Sequence, residues 1–178
     1  MNHSDQSRRD FVKTTSLLTG GLLTVPLFGR SQGFQSGVAD VIKVALIGCG
    51  GRGRGAAVQA LCTKQNVQLV AMADAFQDNL DESVKLINEA LSEKGQADRF
   101  QVPAEARFVG FDAYQKAIPL ADVVILATPP GFRPIHFEEA IKQNKHVFME
   151  KPVAVDPAGV LKVLAVAEEA KKKKLNVV

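Results

Sequence analysis

From Val41 onward, short apolar runs rich in β-branched residues alternate with longer segments whose apolar positions recur every three or four residues. That alternation predicts an α/β fold, a parallel sheet with helical crossovers. Residues 42–48 (IKVALIG) read as a buried strand, 53–63 as a helix and 68–74 (QLVAMAD) as a second strand. Residues 79–95 (NLDESVKLINEALSEKG) read as a long amphipathic helix closed by Gly95. A polar connection over 97–106 leads to a short strand at 107–109 and a short helix at 113–118. A fourth strand at 121–128 (ADVVILAT), a helix at 136–144 and a fifth strand at 145–151 (KHVFMEK) follow. Asp156-Pro157 is a helix start, an N-cap followed by proline at the first helical position, for the helix over 157–174. LNVV at 175–178 reads as a sixth strand. Six strands with intervening helices predict a doubly wound parallel sheet of order 3-2-1-4-5-6.

The first strand runs into Gly48-Cys49-Gly50-Gly51-Arg52-Gly53, which satisfies G-x-G-x-x-G. Glycine-rich turns are common, so the spacing alone says little. Its context says more, because the loop follows a strand and opens a helix. Gly48 can then make the tight turn, Gly50 can let the backbone approach a pyrophosphate, and Gly53 can allow close helix packing, as in a Rossmann fold. Such folds place an acidic residue about 20 residues further on, at the end of the second strand, to accept hydrogen bonds from the adenosine ribose. Asp74 stands there. Its carboxylate would repel a 2′-phosphate, and Ala75 and Phe76 bring no cation, so the expected cofactor is NAD rather than NADP. Arg52 or Arg54 reaching across would reverse that preference. The plainer alternative is that Asp74 only caps the next helix.

Two further stretches, 127–132 (ATPPGF) and 146–152 (HVFMEKP), follow or end strands on the carboxyl edge of the sheet, where doubly wound folds bind ligands. Thr128 and Pro129 are expected to pass beside the cofactor. With these stretches, and with Glu150-Lys151-Pro152 closing the fifth strand after Lys145-His146-Val147, residues 41–178 resemble the Gfo/Idh/MocA oxidoreductases. The resemblance implies that Lys151 lies beside the nicotinamide and the reacting hydroxyl, and that Glu150 lines the nicotinamide ribose pocket. It also implies that His136 points toward the cofactor site, although a lone histidine on a helix can equally be a packing residue. It further implies a second, substrate-binding domain absent from this chain, and a sugar, cyclitol or related polyol as substrate. Some relatives in the family are glycoside hydrolases that use bound NAD for transient oxidation, and a nucleotide-binding module without catalysis is a third reading.

The chemistry asks for such a lysine independently. Oxidising a secondary alcohol removes a hydride from carbon and a proton from oxygen, so a group near the hydroxyl must take that proton. A lysine does so where burial and a cationic ring lower its pKa from about 10.4. The simpler alternative for Lys151 is a surface lysine before a proline turn. His146 lies one strand position off the site and reads as structural. No cluster of His, Cys and carboxylates has ligand spacing, so no metal is expected.

Composition adds limits. With 178 residues, 46% of them hydrophobic, the chain can bury one ordinary core. The net charge is +3, but Arg8, Arg9, Lys13 and Arg30 account for most of it, leaving 18 basic and 17 acidic residues from position 40 onward. Nothing there suggests a nucleic-acid surface, and the run Lys171 to Lys174 reads as a solvated helix end. Cys49 and Cys62 flank a helix, too far apart for a disulfide, so two free, mostly buried thiols are expected.

Ser7-Arg8-Arg9-Asp10-Phe11-Val12-Lys13 resembles the twin-arginine export pattern, which implies passage of an already folded protein through the twin-arginine machinery to the periplasm. The alternative is a basic N-terminal tail. The mildly apolar stretch that follows carries Gly20, Gly21 and Pro26 and is shorter than the roughly 20 residues of a membrane span, so a removed signal is expected and not a stable membrane anchor. Small residues at 31–33 and at 37–39 both mark a cleavage point. Residues 1–39 are therefore expected to form signal and linker, and 40–178 the cofactor domain. The face that a substrate domain would cover is expected to be apolar, which favours homo-oligomers.

Overall fold

The computed structural model describes residues 41–178, so the twin-arginine stretch and its boundary at 39 lie outside the described residues. Strands β1 (Ile42–Ile47), β2 (Val67–Asp74), β3 (Arg107–Val109), β4 (Val123–Leu126) and β5 (His146–Met149) form one all-parallel sheet in the order β3-β2-β1-β4-β5. The central strand is buried from Val44 to Ile47 and pairs Ile47 with Ala73 on one side and with Leu126 on the other. A one-residue register shift between Val44 and Ala45 marks its pairing with β2.

Helices α1 (Gly51–Leu61), α2 (Gln77–Glu93), α3 (Ala113–Ala117), α4 (Arg133–Lys142) and α5 (Pro157–Lys172) form the crossovers. The strand order turns back at β1/β4. Right-handed crossovers on either side of that point put α1 and α2 on one face and α4 on the other. The packing agrees, since α1 touches α2 and α4 touches α5. Each helix buries its spaced apolar positions, as Leu80, Ile87 and Leu91 do on α2 and Val163, Val166 and Ala170 do on α5. A fully buried leucine such as Leu91 contributes about 1.5 to 3 kcal/mol. Asp156 caps α5 as expected, its Oδ1 accepting from the Gly159 N–H at 2.6 Å. Val160, Leu161 and Leu164 remain exposed on that helix.

Some expectations need correction. Residues 175–178 do not form a full sixth strand. Val177 makes one parallel bridge to Val147 in the sixth position, and Val147 N and Met149 N donate to Asn176 O and Val178 O. Both thiols are free, but Cys62 at the end of α1 is exposed while Cys49 is buried. Helices α1, α2 and α4 begin two or three residues earlier than their apolar periodicity indicates. The polar connection contains two short turns, Ala97–Arg99 and Ala104–Ala106, and Phe100 bridges to Leu69. Lys173 of the basic run reaches back to the Ile141 carbonyl at 2.8 Å, so that run is anchored as well as solvated.

Candidate functional site

Four backbone hydrogen bonds step across the carboxyl edge of the sheet. Gly110 N donates to Asp74 O at 3.0 Å, Gly48 N to Ala73 O at 2.9 Å, Ala127 N to Ile47 O at 2.8 Å and Glu150 N to Leu126 O at 3.0 Å. They carry the ladders past the strand ends and set the first residues of four loops side by side. A cleft of about 380 Å³ lies over this edge, lined among others by Gly48, Gly50, Asp74, Thr128, Pro129 and His136. Six of the residues expected from the sequence therefore face one space.

The glycine turn is built by contact. Gly48 has φ +94°, and a Cβ there would come within 2.6 Å of Thr128 N, so only glycine fits both the conformation and the neighbour. A Cβ on Gly53 would overlap the Gly48 carbonyl oxygen, which is how closely α1 approaches the turn. Gly50, in contrast, would meet nothing within 4 Å, so its backbone opens onto free space. It is the N-cap of α1, a helix start without a side-chain cap and without an acidic residue in the first turn. The first-turn N–H groups of Gly51, Arg52 and Gly53 are thus left for an anion, with Arg52 and Arg54 beside them. A pyrophosphate fits that arrangement.

Asp74 joins this turn to the end of β2. Its Oδ2 accepts from Cys49 N at 2.6 Å, and its Oδ1 accepts from Phe76 N at 3.0 Å and Asn79 Nδ2 at 3.3 Å. Phe76 is the N-cap of the following helix, so the carboxylate serves that helix start as well as the glycine turn. With four acceptor sites and three donors in place, it retains capacity for a hydroxyl. Cys49, inside the turn, is inert, because burial and then the Asp74 charge push its thiol far above the ordinary value. Buried Ser83 donates to the Cys49 carbonyl and fixes the turn from α2.

Arg52 crosses to the far end of the site and pairs with Glu150, Nη2 to Oε1 at 2.5 Å. Glu150 is 8% exposed at its side chain. The hydrogen bond from Arg52 holds its carboxyl below the usual range, against burial, which pushes it up. Lys151 follows, with a cis peptide bond to Pro152; its side chain is exposed and does not line the cleft. The burial that its chemistry asks for is not supplied by the described residues. Arg54 does not reach toward Glu150 but pairs with Glu82 on α2 at 2.6 Å.

His136 is 5% exposed, and burial pushes its pKa down to about 4. Its Nδ1 lies 3.0 Å from Thr128 Oγ1, and its ring packs 4.3 Å from that of Tyr114. It can exchange one hydrogen bond with the 128 loop, and it stays uncharged near neutrality. His146 lies away from the cleft and accepts from Asn176 N at 2.9 Å.

Three features escaped the sequence reading. Phe76, Phe111 and Phe132 form an exposed aromatic rim, with ring centroids 6.5 Å apart for Phe76–Phe111 and 6.0 Å for Phe111–Phe132. Flat apolar walls beside Asp74 suit a planar heterocycle. Each phenylalanine follows a strand by two to six residues, a signal that collecting aromatics at strand ends would have found. The second feature is Ser83, and the third is Arg133, a buried charge at the start of α4. Among the described residues no three His, Cys, Asp or Glu side chains gather as metal ligands would, and no helix is long and apolar enough to cross a membrane.

The model of the GFO_IDH_MocA oxidoreductase family, NAD-binding Rossmann fold, matches residues 42–177. The chain belongs to this family. Its domain is an NAD-binding Rossmann fold. In sequence it is similar to a glycosyl hydrolase family 109 protein of Shewanella pealeana, 27% identical over 93% of this chain and 38% of that protein. The alpha-N-acetylgalactosaminidase of Shewanella oneidensis is 27% identical over the same shares. The chain thus spans 38% of the length of these curated relatives. Among solved structures, scyllo-inositol dehydrogenase from Lactobacillus casei with bound NAD(H) and scyllo-inositol superposes with a TM-score of 0.56. It shares 20% identity and is matched over 78% of this chain and 36% of that one. A putative oxidoreductase from Parabacteroides merdae gives 0.62 at 17% identity, over 76% and 30%. At such identities these likenesses establish the fold.

Proposed function

We propose that residues 40–178 are the cofactor-binding half of an NAD-dependent enzyme that oxidises a secondary alcohol carbon of a sugar, cyclitol or related polyol. Its substrate would be held against this half by a further domain. The observation that carries the reading is the row of loop starts on the carboxyl edge, which sets the glycine turn, Asp74 and the 128 loop around one cleft, with Glu150 at the next loop start along the same edge. Bound NAD supplies the hydride acceptor. Around it, the α1 N–H groups and the open side of Gly50 hold the pyrophosphate, and Asp74 accepts from the adenosine ribose. The same carboxylate disfavours a 2′-phosphate, so NAD is preferred to NADP. Phe76, Phe111 and Phe132 flank the adenine. Thr128 and Pro129 run beside the nicotinamide half, with His136 fixing the Thr128 side chain in an uncharged hydrogen bond. Glu150 faces the nicotinamide ribose, and Lys151 takes the proton of the reacting hydroxyl.

A second reading is favoured by the glycosyl hydrolase family 109 relatives, which align over 93% of the chain. In it the same residues would hold NAD and the sugar while a hydride passes to the cofactor, the glycosidic group is eliminated, water adds in its place and the hydride returns to the carbon. Product analysis on the full-length protein separates the two. NADH accumulating with scyllo-inositol or a free sugar supports the dehydrogenase. Release of p-nitrophenol from a p-nitrophenyl N-acetylgalactosaminide without net NADH supports the hydrolase. If Lys151→Met left both activities intact, the role given to Lys151 would be wrong.

We also propose that the segment before residue 40 directs export by the twin-arginine route to the periplasm, on the strength of the Ser7 to Lys13 pattern. That route accepts folded proteins, so the cofactor would be captured in the cytoplasm and carried out with the chain. A recycled, tightly held NAD suits a compartment without a free nicotinamide pool.

A further inference from the structure

Arg133 is the first residue of α4 and is 5% exposed. Its Nη1 donates to the Glu150 carbonyl at 2.6 Å and also to the Pro152 carbonyl. Those acceptors lie on either side of Lys151 in the chain, so a single guanidinium nitrogen pins the backbone before and after that residue. The placement runs against stability in two respects. A buried guanidinium loses its hydration, and here Nε has no partner to replace it. A cation in the first turn of a helix also opposes the helix dipole. An apolar side chain would fill the same space without either cost. What an apolar side chain could not do is fork to the two carbonyls.

The function proposed above gives that fork a purpose, and the inference rests on it. We propose that Arg133 is a positioning residue for the reaction: by clamping the carbonyls of 150 and 152 it holds Lys151 in the one backbone orientation that serves the cofactor. Arg52 completes the hold from the other side through the Glu150 carboxylate. The turn is therefore set by two guanidinium groups, one on the main chain and one on the side chain.

The test follows Lys151 directly, without a substrate. Reductive methylation with ¹³C-formaldehyde keeps the lysine charges and gives each amine an NMR signal, and the Lys151 signal is identified by its loss in Lys151→Arg. NAD is then added. In the wild type the Lys151 signal shifts, and in Arg133→Met that shift is lost while the signals of Lys85 and Lys116 are the same in both proteins. Arg133→Lys, which keeps a cation with three N–H donors on a shorter side chain, restores part of the shift. It also decides the matter if Arg133→Met fails to fold. A full NAD-induced shift in whichever of these variants folds overturns the role of Arg133 alone. A wild-type Lys151 signal indifferent to NAD overturns the assignment of Lys151, and the purpose given to Arg133 with it.

Discussion

His136 gives the most direct energetic test of the site, because its environment predicts how the domain responds to acid. Burial depresses its pKa from 6.5 to about 4, and the ring of Tyr114 packs against it at 4.3 Å. The folded state therefore binds fewer protons than the unfolded state between those two values. By linkage its contribution is fully present above pH 6.5 and is lost as pH falls through about 4. At about 1.36 kcal/mol per pK unit, the depression is worth about 3 kcal/mol. His136→Gln removes the titration while leaving a side chain able to bond Thr128 Oγ1. Urea unfolding measured from neutral pH down to pH 4 should show the wild type losing about 3 kcal/mol more than the variant. Glu150, held low by Arg52, also weakens the fold in acid. It does so equally in both proteins and cancels in the difference. Parallel stability curves would refute the reasoning, as would an imidazole titrating near its ordinary value by NMR.

Replacing Asp74 with arginine removes the acceptor for ribose and for Cys49 N. NAD affinity should fall at least about tenfold, or about 1.4 kcal/mol, while NADP gains relative to it. An unchanged preference in calorimetry would count against Asp74. Two alanine substitutions in the turn should separate fold from ligand. Gly53→Ala drives a methyl group into the Gly48 carbonyl and should cost about 1 to 3 kcal/mol of stability. Gly50→Ala meets no neighbour, so thermal stability should hold while NAD binding weakens, and undiminished NAD affinity would show that the open side of Gly50 is not the pyrophosphate space. Arg8→Lys together with Arg9→Lys should keep the precursor in the cytoplasm, and continued export detected by fractionation would rule out the twin-arginine route.

The sheet was legible because parallel strands buried on both faces leave continuous β-branched runs, and VALI at 44–47 and VVIL at 123–126 are of that kind. The glycine turn was legible because its demands are steric and local: Gly48 must be glycine for its φ and Gly53 for its contact. Asp74 was legible from spacing, but its bond to Cys49 N, which ties it to the turn, belongs to tertiary structure. The aromatic rim was not legible, since Phe76, Phe111 and Phe132 sit on loops where no period applies and meet only when β1, β2, β3 and β4 align. Arg133 was hidden for a different reason. A charged residue beside a proline reads as a solvated helix start, and only the fold of the 150–152 turn brings it two buried acceptors. The last strand was overread: the apolar content of LNVV is right for β structure, yet its pairing with β5 amounts to one bridge at Val177 and the hydrogen bonds on either side of it.

These contacts bear on how the two halves of the sheet act together. A doubly wound sheet divides between β1 and β4, and a dinucleotide lying across that division needs both sides in fixed relation. Two connections supply it at the carboxyl edge, and a third braces one of them. Gly48 lies against the backbone of Ala127 and Thr128 too closely for any side chain to intervene. Arg52, carried by the helix after β1, closes on Glu150 at the end of β5. Within the second half, Arg133, carried by the helix after β4, holds the same Glu150 by its carbonyl. Glu150 is thus shared between the phosphate-side helix and the helix that carries His136, the residue bonded to Thr128. These polar contacts at the rim of the sheet tie the helix that follows the glycine turn, and the helix that carries His136, to the turn that bears Lys151.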